Sequence, residues 1–175
     1  MRKIINITCI SLVLLISSCN VIRVNSDFNN NVDFNNYKTY AFSKKGVDAA
    51  EINDIDKKRI LNAIDIELSS KGLRKSSIDP DLLINFFTES NKKVNYYPGY
   101  DHYSSGLNIG PWFYNYHYQQ YTEGVLFIDL IDFEKNELIW QGVGKGFISS
   151  KRDKKEEQIK LFVSKILIQY PPLKN

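Results

Sequence analysis

Three groups of residues have the types that chemistry uses. Asp129 and Asp132 are a carboxylate pair in one apolar run, Gly142-Val143-Gly144-Lys145-Gly146 is a glycine-rich stretch, and His102 and His117 are the two histidines. Paired carboxylates do acid–base or metal chemistry when both face one site. Side chains an odd number of residues apart on a strand point to opposite faces, so these two meet only if a bulge intervenes. Asp129 has Phe127 and Ile131 beside it on its face, and a carboxylate there must find donors or stay protonated. It reads as a structural hydrogen-bonding group, and Asp132 as a turn residue. The glycine run lacks the spacing of the P-loop and of the dinucleotide fingerprint, and no helix opens directly after it. It reads as a twisted or bulged strand. The histidines have no cysteine or paired carboxylate close by in sequence, too few ligands for a metal. No Gly-x-Ser-x-Gly elbow occurs. No catalytic residue, metal or cofactor is therefore expected, and the chain reads as a non-enzyme.

Cys19 carries different chemistry. Arg2 and Lys3 precede an apolar stretch over residues 4–16, and small Ser17 and Ser18 precede Cys19. Charge, apolar core and small residues in that order make a secretory signal. The apolar run, about 13 residues, is shorter than the roughly 20 that span a bilayer. Ile16-Ser17-Ser18-Cys19 resembles the lipobox of bacterial lipoproteins. That resemblance implies cleavage after residue 18, acylation of Cys19 and anchoring in a lipid bilayer. Cys9 leaves with the signal, so residues 19–175 hold no second cysteine for a disulfide.

About 157 residues then remain, enough for a single soluble domain with its own core. The net charge of +3 falls to about +1 without Arg2 and Lys3. The basic pairs at residues 151–152 and 154–155 run straight into Glu156 and Glu157. No one-signed patch results, and nucleic acid is not an expected partner.

The elements that must position these residues follow from periodicity. Residues 21–24 and 37–43 read as strands, and residues 54–70 as a helix with Ile60, Leu61, Ile64 and Leu68 on one face. Gly72 suits the left-handed position past its end, with Leu73 packing back. Asp79-Pro80-Asp81 marks a turn. Residues 82–88, 124–133 and 138–147 read as strands, the last two as a hairpin. Residues 124–133 are apolar on both faces, which predicts a central strand covered on both sides. A final helix over residues 154–169 repeats Ile159, Phe162, Val163, Ile166, Leu167 and Tyr170, with Asp153 and Glu156 as a cap-like pair. Pro171 and Pro172 stop it. The order β-β-α-β-β-β-α gives an α+β fold, an antiparallel sheet with two amphipathic helices packed on one face.

Residues 94–121 stand apart as an aromatic, Gly- and Pro-containing insertion. Eight of the eleven tyrosines fall there, with Trp112 and Phe113, and loops of that length are uncommon unless functional or disordered. Tyr96, Tyr97, Tyr100, Tyr103, Trp112, Tyr114 and Tyr116 either form a recognition surface for an envelope protein or glycan, or fold over the sheet as a second small core.

The whole chain after the signal resembles a family of bacterial lipoproteins carrying the domain of unknown function 4136. The residues that carry the resemblance are Asp33-Phe34, Tyr37-Lys38-Thr39-Tyr40-Ala41-Phe42, Asp79-Pro80-Asp81-Leu82-Leu83-Ile84, residues 121–132, Leu138-Ile139-Trp140-Gln141-Gly142 and Tyr170-Pro171-Pro172. Val125 departs from the threonine expected there. The resemblance implies fold and location and no activity. The expected molecule is an outer-membrane lipoprotein facing the periplasm, a binding or assembly component; the alternative is an envelope hydrolase.

Overall fold

A computed structural model describes residues 22–99, 115–148 and 151–172; the side chains of residues 91–99 and 115–122 and of Arg152 fall outside the description. The strands are β1 (Arg23–Phe28), β2 (Thr39–Phe42), β3 (Arg74–Lys75), β4 (Leu82–Gly99), β5 (Asn115–Asp132) and β6 (Glu137–Phe147). The helices are α1 (Lys44–Ala49), α2 (Asp54–Ser70) and α3 (Arg152–Leu167), with a 3-10 turn at Phe34–Asn36. One open sheet runs β1-β6-β5-β4-β2-β3. The fold is α+β as expected, but the sheet is mixed. β2 lies parallel to both β3 and β4, because α1 and α2 carry the chain across between them. A four-residue strand carries no sequence signal of its direction.

Helix α2 forms where its pattern says. Asn53 caps it by accepting from the Asp56 N–H, as short polar side chains do at a helix start. At its end Gly72 takes φ +87°, while the Leu73 N–H donates to Leu68 O and the Gly72 N–H to Ser69 O. That is the Schellman pattern. Helix α3 begins two residues earlier than its pattern suggests, with Lys151 at the cap and no side-chain cap bond. Asp153 therefore lies in the first turn, where its charge favours the helix dipole without capping it.

The core lies between these two helices and one face of the sheet. Ile60, Ile64 and Leu68 of α2 and Phe162, Val163, Ile166 and Leu167 of α3 pack with Ile84, Phe86, Ile128 and Leu130. Glycine makes the close approach of α3 possible. A Cβ at Gly144 would sit 2.8 Å from Ile166, one at Gly146 would sit 3.1 Å from Phe162, and one at Gly142 would overlap both Trp140 and Ile166. The glycines of β6 are thus a groove for α3. The bulge lies elsewhere: Leu130 pairs with Trp140 and Ile131 with Leu138, leaving Ile139 as the extra residue. This explains why the consecutive residues Ile139 and Trp140 are both buried.

On the other face β5 buries Val125 and Asp129, while Phe127 and Ile131 are half-buried. Phe127 stacks on Phe87 at 4.4 Å between ring centroids. Much of the segment read as a loop is strand. Residues 91–99 pair with residues 115–123 from Asn91↔Glu123 to Gly99↔Asn115. β6 ends opposite Glu123, so beyond it β4 and β5 run on as a two-stranded ribbon for about 26 Å at the usual rise per residue.

Candidate functional site

The family-motif residues converge on two structural clusters. In the first, the Asp81 carboxylate accepts from the Lys38 and Thr39 N–H groups and from the Thr39 hydroxyl, each at 2.8 Å. Nearby, the Tyr37 hydroxyl donates to Asp132 at 2.7 Å and the Lys135 N–H donates to its other oxygen at 2.9 Å. Burial acts to raise both carboxyl pKa values, but these hydrogen bonds outweigh it and hold Asp81 and Asp132 below the usual range. Burial, with the Asp132 contact, pushes the Tyr37 phenol well above its ordinary value. In the second cluster Tyr170 meets Trp140 and Phe34 edge-on, at 5.6 and 5.8 Å. Both clusters fasten loops and the C-terminal segment to the sheet.

Asp129 and Asp132 do not meet. Asp129 is 8% exposed and accepts from the Gln141 amide at 2.7 Å. Burial pushes its carboxyl up, and the Gln141 bond pulls it back only in part. A raised folded-state pKa contributes stability below the unfolded value and loses it as pH rises through the folded one. Asp129→Asn should therefore melt higher than the parent at about pH 7 and match it at about pH 3. Thermal scans at both values check this, and a less stable variant at neutral pH contradicts it.

Of the expected surface residues, Tyr96, Tyr97 and Tyr116 lie on β4 and β5, where the register sets Tyr96 opposite Tyr118 and Tyr97 opposite His117. Cys19, Tyr100, Tyr103, Trp112 and Tyr114, with His102, fall outside the described residues.

Sequence reasoning missed a pocket of about 610 Å³ where the helix layer ends near the base of the ribbon. Ile60, Leu126, Ile148, Ile159 and Phe162 give it apolar walls, and Glu51, Thr88 and Ser90 add polar lining. Asp56 and Lys155 close one side as an ion pair. Asp56, 5% exposed, also accepts from Arg59 at 2.8 Å and from the Asn53 amide at 2.7 Å. Burial alone would raise its pKa; the bonds from Lys155, Asn53 and Arg59 reverse the sign and hold it low. Such a carboxylate is ionised and saturated, an anchor between α2 and α3. The helical pattern puts Lys155 on a solvated face where alanine would change little, but no pattern spans 99 residues. Lys155→Ala should cost about 1–2 kcal/mol, less than a fully buried pair because the lysine keeps some exposure and Arg59 remains. A double-mutant cycle with Asp56→Asn, read by urea unfolding, measures the coupling.

Among the described residues no group of three His, Cys, Asp or Glu side chains could hold a metal. No described helix is long and apolar enough to cross a membrane.

The sequence model of a family described as a domain of unknown function, DUF4136, matches residues 24–172. No curated protein matches the chain. Among solved structures, a PDZ domain protein from Parabacteroides distasonis is similar at TM-score 0.56 and 21% identity, over 89% of this chain. The chain spans only 37% of that protein's length. A PelC dodecamer from Paraburkholderia phytofirmans is similar at TM-score 0.50 and 13% identity, over 84% of this chain and 95% of that one. Likeness at these identities shows the fold alone.

Proposed function

The chain belongs to the family defined by the domain of unknown function DUF4136, and from that premise we propose a lipid-anchored envelope protein that binds or scaffolds a partner without catalysing a reaction. The observation that carries the anchor is the order Arg2-Lys3, apolar core, Ile16-Ser17-Ser18-Cys19, which ends a few residues before β1 in the sequence. Acylation of Cys19 gives that domain a short tether to the bilayer, and two or more acyl chains make such an anchor stable. Outer-membrane attachment facing the periplasm is the location proposed.

The binding role draws support from the state of the buried and half-buried carboxylates. Asp56, Asp81 and Asp132 are each held ionised by several donors, and Asp129 pairs with an amide away from the pocket. Groups so engaged hold structure together and are poorly placed to exchange protons with a substrate. The aromatic segment over residues 94–121 supplies the surface proposed for an envelope protein or glycan.

Cys19→Ser tests the anchor. In fractionated cells the parent should sediment with membranes and resist extraction by salt. The variant should appear in the soluble fraction or persist as a larger, uncleaved precursor. A variant with the parent's size and membrane retention refutes the proposal.

A further inference from the structure

We propose that the pocket between α2, α3 and the base of the ribbon holds one acyl chain of the lipid on this chain's own Cys19. The inference rests on the acylation of Cys19 proposed above and adds where part of that lipid goes.

Two observations choose the occupant. The first is the lining. Ile52, Ile60, Leu126, Ile148, Ile159 and Phe162 wall a volume of about 610 Å³, within the range of small-molecule sites. Lys155 and Asp56 on one side neutralise each other, and Glu51 is exposed, so the walls select an apolar body. An acyl chain entering there removes its methylenes from water against residues that are already core.

The second observation is where the N-terminal chain leaves the sheet. β1 is antiparallel to β6, with Arg23 opposite Lys145, and β6 is antiparallel to β5, with Gly146 opposite Gly124. The start of β1, the end of β6 and the pocket-lining Gly124 therefore share one end of the sheet. Ile22, just before β1, is buried and joins the core there. Gly146 lies between it and the pocket wall: a Cβ on Gly146 would sit 3.1 Å from the Phe162 ring and 3.3 Å from Ile22. Cys19 is three residues before Ile22, a span of at most about 11 Å. So short a tether holds its acyl chains at high effective concentration beside the pocket, an advantage that a lipid from elsewhere lacks. With one chain seated, those left in the bilayer would draw the pocket mouth and the base of the ribbon against the membrane.

Photocrosslinking of the full chain in its native membrane tests this. Ser90 lines the pocket from an exposed strand position. Ser90→Cys supplies the one free thiol once Cys19 is acylated and Cys9 has left with residues 1–18. A short diazirine reagent on that thiol should, on irradiation, join the peptide carrying residue 90 to the acylated peptide that begins at Cys19, in a product of monomer size. Ile78 is 80% exposed and precedes β4 at the opposite end of the sheet, so the same reagent on Ile78→Cys should lose that product. Crosslinks from residue 90 to membrane phospholipid alone, no lipid crosslink although Cys19 is acylated, or equal yields from residues 78 and 90 would each overturn this inference and leave the anchor standing. Mass spectrometry of the same digest reads the anchor separately: an unmodified Cys19 would overturn both.

Discussion

Phe162→Ala should lower the stability of the domain by about 3–5 kcal/mol, the range for deleting a buried aromatic ring. Phe162 is 2% exposed and does two jobs at once. It sits in the core between α3 and the sheet, and it lies where a Cβ at Gly144 or Gly146 would come within 3.3 or 3.1 Å of its ring. Its partners on β6 are therefore backbone and glycine, which cannot collapse into the space left behind. The cost should accordingly fall toward the upper end of the range. Ile166→Ala, on the next turn and also fully buried, should cost about 2–5 kcal/mol. Urea unfolding with an unchanged slope measures both losses. A loss below about 1 kcal/mol for Phe162→Ala would mean that α3 does not close on β6 as described.

Gly142→Val should be as damaging from the opposite direction, by about 3 kcal/mol. The branched side chain would have to occupy space that Trp140 and Ile166 fill. Trp140 cannot move aside easily, because its other contacts include the edge of Tyr170 and it is fully buried. Overpacking here lifts α3 from the sheet, so the near-ultraviolet signal of Trp140 should change along with the melting temperature. Pairing Gly142→Val with Ile166→Ala should recover part of the loss, since the smaller residue returns the space. Losses that simply add would show that the two positions do not touch.

How much of this was legible in the sequence depended on how local each signal was. Helix α2 was legible because its apolar face and the Gly72 stop lie close together in the chain. The hairpin of β5 and β6 was legible from two apolar runs and a short turn. The outer halves of β4 and β5 were not. Residues 91–99 and 115–121 are rich in Asn, Tyr and Lys and include Pro98 and Gly99, a composition that reads as loop. Only their mutual pairing makes them strands. The parallel run of β2 beside β4 was hidden for the same reason, since a short strand takes its direction from its neighbours.

The carboxylates divide along the same line. Asp132 as a turn residue and Asp129 as a hydrogen-bonded group followed from strand alternation and burial, and both hold in the structure. The glycines of β6, read as a twisted or bulged strand, pair in regular register and the bulge falls at Ile139, because a glycine run in a strand signals close approach as readily as irregularity. Asp81 reads as a turn residue from Asp79-Pro80-Asp81. Its larger role, accepting three hydrogen bonds from Lys38 and Thr39, depends on residues some forty positions away. The pocket was invisible altogether. Ile52, Ile60, Thr88, Leu126, Ile148 and Ile159 line it from widely separated stretches of chain, and several of them read in sequence simply as core.

The central claim is that the mature protein begins at a lipid-bearing Cys19. Mass spectrometry of the N-terminal peptide, from protein isolated from its native membrane, tests it most directly. The expected first residue is Cys19 carrying a diacylglyceryl thioether, with residues 1–18 absent. A mature N-terminus at another residue, or an unmodified Cys19 thiol, would contradict it.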